Sequence, residues 1–244
     1  MMHSSSAQAL ADRPDTPPAL AALTDESLSA EELLARAVDL FPGRLALVSS
    51  FGAEAAVLLD LVASVDPTVP VLFVDTGKLF GETLRYRDRV AERLGLTDVR
   101  SIRPRKDALD AADPNGILWT QNPDACCAVR KVEPLERALS GFDAWISGRK
   151  RFHGATRTSL PKAEFVDGRV KINPLADWSR DQIQARFEAS KLPRHPLEAD
   201  GFLSIGCMPC TDRVAPGEDI RAGRWRNQDK TECGIHFTGN GDGI

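Results

Sequence analysis

Short apolar runs alternate with longer stretches of helical period along most of the chain. The runs at 45–48, 71–74, 99–102 and 144–147 predict strands. Helical periods occur at 29–41, 54–65, 80–94, 123–139 and 179–191. Strands that alternate with helices are typical of a mostly parallel sheet flanked by helices. The pattern therefore predicts an α/β fold.

Two local signals add detail to this prediction. Ser29 precedes the first helical period, and Glu32 stands three positions later, which is the spacing of a capping box. Asp167 and Gly168 divide the stretch 164–172 in two, and this dipeptide favours a two-residue hairpin turn. A short hairpin is therefore expected near residue 167.

Regular patterning is absent at both ends of the chain. Residues 1–26 are rich in Ser, Pro and Ala without an apolar period, and we expect them to form a disordered arm. Residues 27–204 then form the α/β domain. From Leu192 onward Pro and Gly interrupt every period, yet residues 205–244 are dense in Cys, Arg, Trp and His. We expect this last part to be a functional loop and mobile tail of the same domain.

Composition places the chain among ordinary water-soluble proteins. It has 42% hydrophobic and 27% charged residues, with a mean hydropathy of −0.25. Apolar runs stay well below the roughly 18 residues that span a bilayer, and the N-terminus lacks the pattern of a secretory signal. We therefore expect a cytoplasmic protein that does not enter a membrane. The sequence is compatible with a homo-oligomer but does not define one.

Positive charge is concentrated in one stretch. Residues 126–162 contain eight Lys or Arg against three acids. This local excess fits a small anionic ligand. It is too small for a face that binds nucleic acid.

Two loops that follow predicted strands carry small and polar residues. Both lie at the carboxyl ends of strands, where α/β sheets bind ligands. The first consists of Ser49, Ser50, Phe51 and Gly52, and the second of Asp75, Thr76 and Gly77. The first loop leads into a helix, so its N–H groups are available to an anion, while Asp75 could accept hydrogen bonds from ribose hydroxyls. Two such loops favour a nucleotide site over ordinary turns.

The five cysteines form two pairs and one remainder. The pairs are Cys126 with Cys127, and Cys207 with Cys210. Four thiolates from two pairs hold either zinc or an iron-sulfur cluster. Adjacent cysteines on a helix point about 100° apart, which suits the separate iron atoms of a 4Fe-4S cluster better than one tetrahedral zinc ion. We favour the cluster, with structural zinc and ordinary buried thiols as alternatives.

Cys233 is the cysteine that remains. It lies close to a Gly-rich C-terminus, where a thiol could move into and out of a site. Cationic neighbours favour the reactive thiolate form, whereas the adjacent Glu232 opposes it. A mobile nucleophile and an inert surface cysteine are the two interpretations that this position leaves open.

Five motifs resemble the adenylyl-sulfate reductase branch of the sulfonucleotide reductase family. They occur in order between Ala46 and His236 and cover most of the folded chain. They read SSFGAEAAVL, FVDTGKLFGETLRYRD, CCAVRKVEPLERAL, SIGCMPCT and RAGRWRNQDKTECGIH. The resemblance implies an adenine-nucleotide α-hydrolase-like fold of the PP-loop type, with a modified phosphate loop at 49–54.

The same resemblance implies a reaction. The thiol at Cys233 would attack the sulfur of adenylyl sulfate (APS), so that AMP leaves and an S-sulfocysteine forms. Thioredoxin or a similar dithiol would then release sulfite, a step of assimilatory sulfate reduction. The four paired cysteines would hold a 4Fe-4S cluster with a structural and electrostatic role.

A thiolate that approaches a phosphosulfate meets like charge, so fixed cations are needed to lower the barrier. The resemblance places several basic side chains in or near the pocket, and in relatives the residue at Lys131 lies between cluster and substrate. The candidates are Lys131, Arg149, Arg157, Arg221, Arg224 and His236.

Some positions depart from the family pattern. Phe152, His153 and Gly154 stand where relatives commonly have Asp, Gln and Ser, so the substrate contacts of this loop are undefined. Gly81 replaces a usual Pro, and Ala55 a frequent Asp.

Three other functions remain open. Phosphoadenylyl sulfate (PAPS) is an alternative substrate, although reductases restricted to it lack the two cysteine pairs. An ATP-dependent adenylating or thiolation enzyme with a metal centre is a second alternative, but its phosphate loop is missing here. A non-catalytic metal-binding module is the third, and in it Cys233 would be dispensable.

Overall fold

A six-stranded sheet forms the centre of the molecule. The computed structural model describes residues 18–153, 158–226, 230 and 234. Within them the strand order is β3-β2-β1-β4-β6-β5, and only β5 is antiparallel to its neighbour. The strands are β1 Leu45–Ser49, β2 Val71–Val74, β3 Val99–Ile102, β4 Ala144–Ile146, β5 Ala163–Val166 and β6 Arg169–Ile172. The predicted mostly parallel sheet is confirmed.

Helices cover both faces of this sheet. The described α-helices are α1 Pro18–Ala21, α2 Ala30–Leu40, α3 Ala55–Val65, α4 Gly81–Leu94, α5 Lys106–Ala112, α6 Leu118–Gln121, α7 Pro123–Cys127, α8 Glu133–Leu139 and α9 Arg180–Ala189. Helices α2, α3, α4 and α9 bury one large apolar core against the sheet. Helix α8 covers the opposite face, where Leu135 and Leu139 pack with Trp145. Burial on both faces explains why all of β1 is buried and apolar up to Ser49.

Both local signals are confirmed. The Ser29 hydroxyl accepts a hydrogen bond from the Glu32 N–H, and the Glu32 carboxylate accepts one from the Ser29 N–H at 2.8 Å, so a capping box starts α2. Asp167 and Gly168 have φ values of 51° and 75°. A type I′ turn requires positive φ at both central residues, which an Asp-Gly pair adopts readily.

Part of the predicted disordered arm has regular structure. Residues 18–26 were expected within the disordered arm, but α1 lies there and the side chains of Leu20 and Leu23 are fully buried in the large core. The buried Lys162 ammonium also donates to the carbonyls of Glu26 and Leu28. The sequence did not predict this helix because a single helical turn is too short to show a periodicity. The lysine that binds the two carbonyls is more than 130 positions away in the sequence, so it gives no local signal either. Residues 1–17 lie outside the described part.

The predicted helix at 123–139 is interrupted by a wider turn. Residues Ala128–Val132 form a π-helical segment between α7 and α8, in which the Glu133 N–H bonds to the Ala128 carbonyl. Pro134 lies just beyond this turn and has no N–H to bond to the carbonyl four residues before it. The π segment is therefore the local response to a proline inside a helix, and it holds Arg130 and Lys131.

The chain order of the strands defines a switch point between β1 and β4. From β1 the chain proceeds outward through β2 to β3, and it then returns to place β4 on the other side of β1. In open α/β sheets the crevice for a ligand forms at this point, outside the carboxyl ends of the strands. Among the described residues, no helix combines the length and the apolar composition that a bilayer crossing requires.

Candidate active site

A cleft of about 240 Å³ opens at the switch point between β1 and β4. Its walls come from the loops after β1 and β4 and from two segments late in the chain, 203–207 and 220–225. Ser49, Ser50 and Gly52 line it, as predicted for the first loop. The late segments belong to the region where the sequence pattern predicted no regular element.

The first loop has a strained backbone that the core holds in place. Phe51 has a φ of 48°, which costs about 1–2 kcal/mol for a residue with a Cβ. Its side chain is fully buried and packs edge-to-face on Phe73, with the ring centroids 5.4 Å apart. The Phe51 ring thus holds the loop by packing in the core, and it does not line the cleft. A Cβ on Gly52 would lie 3.1 Å from the Ile205 carbonyl, so glycine permits the close approach of segment 203–207.

The second loop contributes Thr76 to the cleft, while Asp75 has a different environment. The buried Asp75 carboxylate accepts hydrogen bonds from the Gly77 N–H at 3.1 Å and from Arg103 Nε at 2.8 Å. Neither Asp75 nor Gly77 lines the cleft. Asp75 stabilises the turn of this loop, and Gly77 takes the positive φ of 68° that the turn requires.

Basic side chains dominate the polar lining of the cleft. They are Lys131, Arg149, Lys150, Arg221 and Arg224. Two of them are fixed by acids from other elements: Lys150 Nζ lies 2.8 Å from Glu54 Oε2, and Arg149 Nη1 lies 2.9 Å from Glu164 Oε1. Sequence reasoning missed Lys150, although the run 149–151 of three consecutive basic residues contained it. Such a lining favours a ligand with several negative charges.

Arg221, Arg224 and the second cysteine pair belong to one structural unit. Segment 205–212 runs beside segment 221–226, and the Asp212 N–H donates to the Gly223 carbonyl at 2.7 Å. The Trp225 N–H donates to the Cys210 carbonyl at 3.2 Å. These backbone bonds fix the distance between the cysteine turn and the two arginines.

All four paired cysteines line a second, smaller cavity next to the cleft. Cys126 and Cys127 are buried on α7, and Cys207 and Cys210 flank a 3₁₀ turn in which the Cys210 N–H donates to the Cys207 carbonyl. None of these four cysteines forms a disulfide. In the described part of the chain, His, Cys, Asp and Glu side chains form no group of three or more that could hold a single metal ion.

Thr76 and Trp225, which carry buried polar side-chain groups, contact the second cysteine pair. Thr76 Oγ1 lies 3.2 Å from Cys207 Sγ. Trp225 is 3% exposed, and its buried indole Nε1 has no hydrogen-bond partner among the described residues. Burial raises the pKa of the Cys126 thiol, while the neighbouring Arg130 lowers it. Burial likewise raises the pKa of the Cys210 thiol, and Lys131 and Arg224 act in the opposite direction.

Lys131 and Cys207 line both cavities. Beside them, the buried Arg130 donates to the Thr76 carbonyl at 2.9 Å and forms an ion pair with Asp113 at 2.7 Å. The π turn thus presents Arg130 to the cysteine cavity and the β2 loop, and it presents Lys131 to both the cysteine cavity and the cleft. Sequence reasoning identified Lys131, but Asp113 gave no signal because its partner is 17 residues away.

Three predicted site residues fall outside the described part of the chain. They are Arg157, Cys233 and His236. Of the variant loop, Phe152 is described, and Arg180 of α9 lies over its ring with the guanidinium 5.5 Å from the centroid.

Solved structures share this architecture. Phosphoadenylyl-sulfate (PAPS) reductase from Candida auris, solved as a phosphate complex, matches 77% of this chain and 91% of its own with a TM-score of 0.66 and 29% identity. FMN adenylyltransferase from Candida glabrata matches 87% of this chain and 76% of its own at a TM-score of 0.55, but only 15% of the residues are identical, so it shows the fold alone. Fold and cleft thus define an α/β protein of the adenine-nucleotide α-hydrolase-like class.

Sequence relatives give the family. The phosphoadenosine phosphosulfate reductase domain matches residues 44–213, and the chain belongs to this family. The adenosine 5'-phosphosulfate reductase of Mesorhizobium japonicum is 53% identical over 201 residues, which cover 82% of this chain and 79% of the relative. The phosphoadenosine 5'-phosphosulfate reductase of Gloeobacter violaceus is 43% identical over 219 residues, which cover 86% and 90%.

Proposed function

We propose that the chain reduces adenylyl sulfate to sulfite and AMP in assimilatory sulfate reduction. One observation carries this proposal: a cavity lined by four thiols adjoins a strongly basic cleft, and Lys131 and Cys207 belong to both. A phosphosulfate anion suits the basic cleft, and family relatives that are named for this reaction support the assignment.

In the first step the Cys233 thiolate attacks the sulfur of the sulfate group. A bond forms between the two sulfur atoms, the bond from that sulfur to the bridging oxygen breaks, and AMP leaves with the electron pair. The five basic side chains of the cleft would offset the repulsion between the thiolate and the anionic substrate. Arg157 and His236 are further candidates for this role, as the family resemblance implies.

In the second step a dithiol, for which we propose thioredoxin, attacks the sulfur of Cys233. Sulfite leaves with the electron pair of the sulfur–sulfur bond, and a mixed disulfide forms. The second thiol of the donor then resolves it, so that Cys233 returns to its thiol and the donor becomes a disulfide. The two electrons of the reduction therefore come from the dithiol. A reducing compartment such as the cytoplasm would sustain this cycle.

We propose that Cys126, Cys127, Cys207 and Cys210 hold a 4Fe-4S cluster. Thiolates are the ligands that iron-sulfur clusters use, and adjacent helical cysteines cannot easily converge on one ion. The Thr76 hydroxyl lies 3.2 Å from Cys207 Sγ, so it could donate a hydrogen bond to the sulfur of a cluster ligand. When bound, the cluster would supply a rigid, charged centre that fixes the cysteine turn. Because that turn is bonded to segment 221–226, the same four residues would also position Arg221 and Arg224.

PAPS is the second candidate substrate. It is favoured by the 43% identity to a relative that is named for PAPS, whereas the two cysteine pairs and the more similar relatives favour APS. The 3'-phosphate alone distinguishes the two nucleotides, so their relative rates decide the matter.

The test uses anaerobically purified full-length protein with reduced thioredoxin. Sulfite release is measured with APS and with PAPS, beside iron content and ATP consumption, and Cys233→Ser is the control. We expect sulfite mainly from APS, about four iron atoms per chain, no ATP use, and no sulfite from Cys233→Ser. If PAPS is turned over faster than APS, PAPS is the substrate and the assignment to APS is wrong. ATP consumption, or a Cys233→Ser variant with full activity, would overturn the proposal.

A further inference from the structure

The hairpin of β5 and β6 carries a carboxylate that binds one of the cleft cations. Arg149 lines the cleft, and its Nη1 lies 2.9 Å from Oε1 of Glu164 on β5. The side chains of Arg149 and Glu164 are 14% and 17% exposed, so this ion pair is largely shielded from water. Charge-assisted hydrogen bonds in such surroundings are strong and little screened by salt. Glu164 therefore restricts where the Arg149 guanidinium can lie.

Glu164 is itself held by two neighbours. Lys171 of β6 stands directly opposite Glu164 in the antiparallel register, and its Nζ lies 3.8 Å from Glu164 Oε1. Asn173, just after β6, donates from Nδ2 to the same oxygen at 3.4 Å. Both Lys171 and Asn173 are buried. Three nitrogens, including that of Arg149, thus converge on one carboxylate oxygen and fix its position.

The same network reaches the cleft at two further points. Ser147 lines the cleft directly after β4, and its Oγ donates to Asn173 Oδ1 at 2.7 Å. Trp145 of β4 also lines the cleft, and it is the register partner of Lys171. Lys171 Nζ lies 4.7 Å from the centroid of the Trp145 ring. The hairpin therefore packs directly against the wall that β4 and its loop give to the cleft.

A carboxylate beside a basic cleft has two opposing effects on an anionic ligand. Its negative charge repels the anion, whereas its hydrogen bond to Arg149 keeps the guanidinium in place to bind that anion. Without Glu164, the cations of Arg149 and Lys171 would be close together in a shielded site and would repel each other. Because Lys171 is enclosed at the sheet and Arg149 opens onto the cleft, the displacement would fall on Arg149.

We infer that Glu164 is a positioning residue, which acts on the reaction through Arg149. This inference rests on the proposed function, in which the cleft binds a phosphosulfate anion. The hydrogen bond outweighs the repulsion, because a guanidinium stabilises developing charge only when it is correctly placed. The β5–β6 hairpin thus serves the site although no residue of its two strands lines the cleft.

The test is a double-mutant cycle in the full-length, iron-loaded enzyme. Formation of the Cys233 adduct from APS is followed by rapid quench and mass spectrometry without a dithiol, which gives a second-order rate constant at low APS. The variants are Glu164→Met, Arg149→Met and the two combined. Glu26→Gln is the matched control, because Glu26 pairs with Arg151 at the same distance of 2.9 Å and Arg151 does not line the cleft.

Glu164→Met should lower this rate constant by a factor on the order of 10, although it makes the site more positive. Arg149→Met should lower it by about 10²-fold. Addition of Glu164→Met to Arg149→Met should not lower it further, because the guanidinium that Glu164 positions is already absent. Glu26→Gln should react like the wild type. Iron content, and the rate at which reduced thioredoxin releases sulfite from preformed adduct, should be unchanged in Glu164→Met.

A second variant guards against loss of the fold. Glu164→Met alone leaves a charge on the buried Lys171, whereas Glu164→Met combined with Lys171→Met removes one charge of each sign and replaces the pair with apolar side chains. Such replacements are often neutral for stability, so the urea midpoint should stay near that of the wild type. Its adduct formation should still be slower by a factor on the order of 10, because Arg149 has lost its carboxylate.

An adduct rate in Glu164→Met equal to or above that of the wild type would overturn the inference and leave the proposed function intact. An equal loss of rate with and without the Arg149 guanidinium would do the same, because the effect would then not pass through Arg149. If Glu164→Met alone does not fold, the variant that also carries Lys171→Met decides by the same comparison. If the wild-type enzyme forms no Cys233 adduct, the proposed function fails and the inference fails with it.

Discussion

The guanidinium of Arg224 lies over Gly206, at a distance that leaves no room for a side chain. A Cβ on Gly206 would be 2.7 Å from Arg224 Cζ and 3.0 Å from Nη1. Gly206 immediately precedes Cys207, and Arg224 lines the cleft. Because Gly206 has no side chain, an arginine that lines the cleft can pack directly against the cysteine turn.

Gly206→Ala should reduce activity without unfolding the protein. The atoms that a new methyl group would meet are the end of a flexible side chain, so Arg224 can move aside at little cost in stability. The displaced guanidinium would lose its place in the cleft, and removal of one such charge contact typically costs about 10²-fold in kcat. Steady-state kinetics with APS, iron content and the urea midpoint test this.

The control for this prediction is Gly141→Ala, because a methyl group added at Gly141 would have nothing within 4 Å and would lie outside the cleft. Equal activity of Gly206→Ala and Gly141→Ala would show that the position of Arg224 does not matter for turnover.

Lys131→Met should lower activity through the loss of one positive charge, without affecting assembly of the cluster. Lys131 lines both cavities, so the substitution removes a cation between the four thiols and the cleft while the methylene stem remains. We expect kcat/KM for APS to fall by a factor on the order of 10²–10³, with iron content unchanged. Lys131→Arg keeps the charge and should retain more activity than Lys131→Met. Loss of iron in Lys131→Met would mean that this lysine serves the thiol cavity instead.

His195 should make stability depend on pH. It is fully buried, its Nδ1 accepts from the Leu197 N–H at 3.2 Å, and its Nε2 lies 3.1 Å from Thr83 Oγ1. Burial lowers the pKa of His195 from 6.5 to about 4. Between these values the unfolded chain binds more protons than the folded one. The free energy of unfolding should thus decrease as pH falls from 6.5 toward 4, by an amount on the order of 2–3 kcal/mol in total.

His195→Asn tests this prediction, since Asn keeps an acceptor at the N-cap position and does not titrate. The measured quantity is the change in the urea midpoint between pH 7 and pH 5, compared for wild type and variant. The variant should be less stable than wild type at pH 7, but its free energy of unfolding should decrease less between pH 7 and pH 5. If the urea midpoint changes with pH equally in the two proteins, His195 is not the cause of the pH dependence of stability.

Much of the fold could be predicted because buried parallel strands need continuous apolar runs. The strands β1, β2 and β4 are such runs, and they fix the loops at their ends. The short helices α5 and α6 escaped prediction because neither has a buried residue, so neither produces an apolar period. The π turn escaped because it arises from one proline inside an otherwise good helical pattern.

The candidate site was harder to predict, because the segments that line it are held together by contacts that produce no periodic pattern in the sequence. Segments 205–212 and 221–226 are joined by backbone bonds and by close approaches at two glycines, one of which is Gly223 against the Asp212 carbonyl. At the end of β2, consecutive side chains point to opposite sides, so Thr76 faces the cleft and Asp75 turns toward Arg103. Composition marks such a loop as functional but does not say which residue faces the ligand.

We propose above all that Cys233 takes the sulfonyl group directly from the nucleotide. The most direct measurement is mass spectrometry of anaerobic protein mixed with ³⁵S-labelled or unlabelled APS in the absence of any dithiol. We predict one added SO₃ on the peptide that contains Cys233, one AMP released per adduct, and neither in Cys233→Ser. An adduct on any of the four paired cysteines, or AMP release that persists in Cys233→Ser, would contradict it.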